Sequence, residues 1–99
     1  MIELKWSHFA IADRKEIFQH IVIDSPKNAA LVDERIESQV SRLEQLPNMG
    51  RPGRVAGTRE LVIQRTPFIV GYTVKDNVVW ILRILRGAKQ WPVKMPLPE

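Results

Sequence analysis

Residues 58–85 read TRELVIQRTPFIVGYTVKDNVVWILRIL, and this stretch decides the fold. Its apolar residues fall into three runs separated by two breaks. The runs are 58–64, 68–74 and 78–85, and the breaks are Arg65-Thr66-Pro67 and Lys75-Asp76-Asn77. Runs of this length, rich in Val, Ile, Phe and Tyr and bounded by Pro, Asp and Asn, predict strands joined by tight hairpins. In the second run Phe68, Val70, Tyr72 and Val74 share one face, and Ile69, Gly71 and Thr73 share the other. The third run is apolar on both faces, as a strand covered on both sides must be, and Arg83 is the one charge within it. Alternation places Tyr72 and Trp80 in the core.

Working back towards the N-terminus, the period changes. Ala29, Val32, Ile36, Val40, Leu43 and Leu46 recur at three- and four-residue steps, with Asp33, Glu34, Arg35, Glu37, Ser38 and Arg42 between them. That is an amphipathic helix, and Ser25-Pro26 supplies its cap and first residue. An earlier helix, capped by Ser7, carries Ala10, Ile17, Ile21, Phe18 and Val22 inward and ends near Ile23. Residues 2–6 alternate and predict a short strand. Residues 47–57 hold two prolines and three glycines and predict a loop. The expected order is βααβββ. The class is α+β, with the N-terminal strand and a helical hairpin packed on a small antiparallel sheet.

The 99-residue length allows one domain, placed at residues 1–92. The proline-rich remainder, 93–99, is expected to be an extended tail that is dispensable for folding. Charge is divided unevenly. Residues 51–99 hold nine Lys/Arg against three acids, and residues 1–50 hold six against eight, for a net +4. Such asymmetry points to an anionic partner for the second half. There is no cysteine, so no disulfide framework or thiolate metal site. Two histidines twelve residues apart do not make a metal site. Gly50-Arg51-Pro52-Gly53 precedes a strand rather than opening a helix, which argues against a nucleotide cofactor. No apolar run reaches the roughly 20 residues that span a bilayer. The first residues also lack the apolar core of a signal peptide, so the expected location is the cytoplasm.

Several segments together resemble one family. They are the tryptophan-ended first strand, residues 13–23, the helix ending Leu43-Glu44-Gln45-Leu46-Pro47, and Gly50-Arg51-Pro52-Gly53-Arg54. They continue with Gly57-Thr58-Arg59-Glu60-Leu61, Pro67-Phe68-Ile69-Val70, and Ile81-Leu82-Arg83-Ile84-Leu85 leading to Trp91-Pro92. In this order and at this length the chain resembles the toxins of the RelE/ParE superfamily of type II toxin–antitoxin systems, over about residues 2–92. The resemblance implies the same βααβββ fold. It also implies a cognate antitoxin that neutralises the toxin with an extended, often acidic segment, and through which alone operator DNA would be contacted. No cofactor or metal is implied.

Within that superfamily, RelE-like members cut mRNA in the ribosomal A site, and ParE-like members poison DNA gyrase. RNA cleavage needs a proton acceptor and cations around the phosphate. On the RelE-like reading the chemistry would rest on Arg59, Arg83, Arg86 and Lys89. Two departures weigh against it. Val62 and Ile69 are apolar where RelE-like toxins carry cations, and Arg86 stands where many relatives carry histidine. Arginine stabilises charge but is a poor proton shuttle. The expectation is therefore a ParE-like toxin, with Arg51, Arg54, Arg59, Arg86, Lys89 and Trp91 as target or phosphate contacts. The alternatives are the ribosome-dependent endonuclease and an inactive member that binds antitoxin and co-represses the operon. For each cation the competing assignment is structural. Arg59 would pair with a carboxylate such as Glu37, a charge buried at Arg83 would need a partner, and Trp91 would anchor the tail.

Overall fold

The computed structural model describes residues 2–87, 91–92 and 95–96. The chain runs β1 (Glu3–Trp6), α1 (His8–Val22), α2 (Pro26–Ser41), a 3-10 turn (Arg42–Glu44), β2 (Arg51–Pro52), β3 (Arg59–Val62), β4 (Phe68–Lys75) and β5 (Val78–Arg86). The strands form one sheet in the order β1-β5-β4-β3-β2. Neighbours β5-β4-β3-β2 are antiparallel, as the hairpin signals require. The first strand differs from expectation in placement. It is the fifth member of the sheet, pairing parallel to β5 with Leu4 opposite Val79, so the sheet is mixed. Alternation identifies a strand and its faces but carries no information about which edge it joins or in which direction. The loop before β3 also contributes β2, whose two residues are too few for a periodicity to register.

Both helices start where the sequence places a cap. The Ser7 hydroxyl accepts from the Ala10 amide at 3.1 Å and donates to the Leu82 carbonyl at 2.9 Å, so the cap also ties α1 to β5. Ser25 caps α2 through the Asn28 amide, with Pro26 at the first helical position. Asp76 and Asn77 both have positive φ, the geometry of a two-residue hairpin turn that follows the right-handed twist of its strands.

The core lies between the helices and one sheet face. Ala10, Ile36, Val40 and Leu43 meet Leu61, Ile63, Phe68, Val70, Tyr72, Val79, Ile81 and Ile84. The face of β4 that joins it is the expected one. The pairing of β4 with β5 slips between Gly71 and Tyr72, with Gly71 opposite Arg83 and Tyr72 opposite Ile81. This bulge reverses the alternation of β5, so Val79, Ile81 and Ile84 share the core. Trp80, expected in the core, is half-buried, with the Lys5 ammonium 5.4 Å from its ring centroid. Leu46 is 52% exposed although it extends the stripe of α2, because the helix has ended and a 3-10 turn intervenes. Phe18, also expected inside, is exposed.

Candidate functional site

The cations of the second half fall into two groups, and their partners decide what each can do. The first group surrounds Glu60 on β3. This carboxylate is 3% exposed, and a charge so buried must be paired. Its Oε1 accepts from Arg51 Nη2 at 3.1 Å, and its Oε2 from the Arg54 amide at 2.7 Å. Arg54 Nε lies 3.4 Å from the same Oε2. Turned by this contact, the Arg54 guanidinium stacks 4.4 Å from the Trp91 ring centroid and reaches the Gly87 carbonyl. Trp91 Nε1 donates to the Arg86 carbonyl at 3.3 Å. Arg51, Arg54 and Trp91, three of the expected contact residues, therefore gather on one face at this end of the sheet, with the Arg86 backbone beneath Trp91.

Arg59 does not join them as a free cation. Its Nη1 donates to the Gly50 carbonyl at 2.8 Å and to Asn48 at 3.4 Å, so it braces the loop before β2. The same loop is held from below by Tyr72, whose hydroxyl donates to the Pro47 carbonyl at 2.8 Å and accepts from the Gly50 amide at 2.9 Å. Gly50 is required for that approach, because a Cβ there would lie 2.7 Å from the phenol oxygen. Burial raises the Tyr72 pKa above the usual tyrosine value, and the Gly50 amide opposes the rise. The expected partner of Arg59, Glu37, instead joins Asp33 in binding Arg14 between α1 and α2, and this raises the Arg14 pKa.

The second group lines a cleft of about 260 Å³ between α1 and the ends of β4 and β5. Arg83 and Arg86 face Asp13, Glu16 and His20 there, over Ile17, Ile21 and Phe68. Arg83 is bound by Asp13 at both oxygens, Nε at 2.7 Å and Nη2 at 3.0 Å, and the Ile84 amide donates to the same carboxylate at 2.9 Å. Its pKa is raised by that hydrogen bond. Arg83 is thus the paired charge that its apolar strand demanded. Arg86 is exposed, lies 5.3 Å from the Phe68 ring centroid, and has no carboxylate partner among the described residues. Lys89 lies outside the described residues.

Glu60 and Asp13 are the site residues that reading the cations alone passes over. Asp13, Glu16 and His20 recur at helical spacing on α1, which groups them on one helix face, but that this face meets β5 is seen only in the fold. Nothing in the local sequence marks Glu60 as the acid that orients both loop arginines.

The fold and part of the sequence are shared with known proteins. Residues 4–91 match the model of the "ParE toxin of type II toxin-antitoxin system, parDE". The "Putative toxin Y4kP" of Sinorhizobium fredii is 38% identical over 89 residues, covering 90% of this chain and 92% of its own length. "Toxin RelE2" of Caulobacter vibrioides is 33% identical over 89 residues, covering 90% and 99%. A solved chain of the chromosomal ParDE toxin–antitoxin system from P. aeruginosa superposes with a TM-score of 0.80 at 39% identity, covering 87% of this chain and 96% of that one. A chain of the RelBE2 toxin–antitoxin complex from Mycobacterium tuberculosis shares the fold, with a TM-score of 0.57 at 22% identity over 89% of this chain and 93% of that one. With its sheet, its helical hairpin and nearly its whole length accounted for in this way, the chain belongs to the ParE toxin family of type II toxin–antitoxin systems.

Proposed function

We propose that this toxin arrests growth by acting on DNA gyrase rather than by cutting mRNA, and that a cognate antitoxin holds it inactive. The observation that carries the reading is the engagement of Arg59 and Arg83. Two of the four residues on which phosphodiester cleavage would rest are committed, Arg59 to loop carbonyls and Arg83 to Asp13. The neighbouring positions Val62 and Ile69 are apolar, and Ile69 is buried. Among the described residues the surface keeps the stack of Arg54 on Trp91 and, on the other face of the sheet, Arg86 over Phe68, cations and aromatics that suit binding more than proton transfer.

The antitoxin would cover the outer side of α1. Ile11 and Phe18 are 55% and 37% exposed there, and Trp6, Ile11, Arg14, Lys15, Phe18 and Asp33 line an open groove. A contiguous apolar face of this kind on a small protein marks a partner surface. Its charges cancel locally, Arg14 being taken by Asp33 and Glu37, so the contact would be chiefly apolar.

The endonuclease remains the second reading, because a relative named as a RelE toxin is 33% identical. Pulse labelling after brief induction separates the two. On the gyrase reading thymidine incorporation falls first, and cells filament. Immediate loss of amino-acid incorporation would overturn it in favour of the ribosome. No effect on either would favour an inactive member that only binds antitoxin.

A further inference from the structure

Gly71 stands in the interior of β4, where glycine weakens a strand. Its φ lies outside the left-handed region, so conformation does not require it. What it provides is room. A Cβ at this position would lie 2.9 Å from Met95 Cε and 3.4 Å from Trp91 Cζ3. Met95 is 6% exposed, so its thioether fills the notch that a side chain would occupy. The alternation of β4 sets Gly71 on the face of Ile69, away from Val70 and Tyr72 and the helix-covered core. Trp91 is held a second time by the Arg54 stack and by its bond to the Arg86 carbonyl. Arg54 is itself aimed by the buried Glu60. Two independent devices, one a missing side chain and one an ion pair, thus converge on the same indole.

We propose that the Gly71 notch and the Glu60–Arg54 clasp form a seat for Trp91 and Met95, and that Gly71 and Arg54 are positioning residues for the target-contacting end of the toxin. The seat fixes the Trp91 ring against the Arg54 guanidinium, giving the target one rigid aromatic and cationic surface. The proposal rests on the reading that Trp91 touches the target, whichever target that is.

The test follows Trp91 and toxicity separately. With Trp6→Phe and Trp80→Phe, Trp91 is the remaining indole. Gly71→Val, Met95→Ala and Arg54→Ala are then expected to shift its emission to the red and raise its quenching by acrylamide. Arg54→Lys should retain much of the native signal. In the otherwise native chain the first three substitutions should relieve growth arrest, while capture of the antitoxin persists. Unchanged Trp91 emission in both Gly71→Val and Met95→Ala would overturn the seat. A clear red shift with full toxicity would overturn the positioning role. If Gly71→Val fails to fold, Met95→Ala decides alone, since it leaves the strand untouched. If the native chain itself does not arrest growth, the toxin reading fails while the emission result still decides the seat.

Discussion

Tyr72 is the one tyrosine of the chain, and its hydroxyl joins β4 to the loop that carries Arg51 and Arg54. Its phenyl ring belongs where alternation put it, in the core, but its polar role is invisible in sequence, because Pro47 and Gly50 lie more than twenty residues away. Tyr72→Phe leaves a carbonyl and an amide without their partner and should cost about 1–3 kcal/mol in chemical denaturation. Burial raises the pKa, so the folded state holds the phenolic proton more tightly than the unfolded state. The stability this represents is fully present below the ordinary tyrosine value of about 10 and is lost as pH rises through it towards the folded value. The phenolate absorbance of the folded chain should accordingly titrate above that value. The stability gap between native protein and Tyr72→Phe should narrow in alkali. A gap that widens there would contradict the burial assignment.

At the scale of the element, α1 shows how far a hydrophobic pattern can be read. Its stripe predicts a helix, and the helix forms from Ser7 onward. Yet the helix is apolar on more than one side, with Ala10 and Ile17 turned to the core and Phe9, Ile11 and Phe18 left at the surface. Periodicity says which residues are apolar, and only the packing of α1 on β5 and α2 says which of them stay exposed. Ile11→Glu and Phe18→Glu should abolish capture of the antitoxin by affinity pull-down, while shifting the melting temperature little, since exposed sites contribute within about 0.5 kcal/mol. Retained capture in the double variant would place the antitoxin elsewhere.

For the whole molecule the decisive contact spans seventy residues. Asp13 on α1 binds the Arg83 side chain and the Ile84 amide on β5, locking the helical layer to the sheet at the bulge. Asp13→Asn keeps the shape but removes the charge that Arg83 faces. It should destabilise the chain by roughly 2–4 kcal/mol, because a partly buried guanidinium is left uncompensated. Replacing both residues, Asp13→Leu with Arg83→Met, should recover most of that loss in thermal unfolding. Additive losses instead would mean that the two residues act independently.

By itself the sequence determined the elements, their order and the apolar face of β4, because side-chain period, caps and turn residues act over a few positions. It also marked the cationic second half and the segments that resemble one toxin family. The tertiary structure alone decided that β1 joins β5 in parallel, that a bulge reverses β5 and leaves Trp80 half-buried, and which arginines stay at the surface. Arg59 and Arg83 are spent on loop carbonyls and on Asp13, whereas Arg86 is left without a carboxylate among the described residues. The physical reason is that a charge is useful or spent according to its neighbours in space. For Arg83 and Asp13 those neighbours are set by the closing of the sheet, which no local pattern encodes.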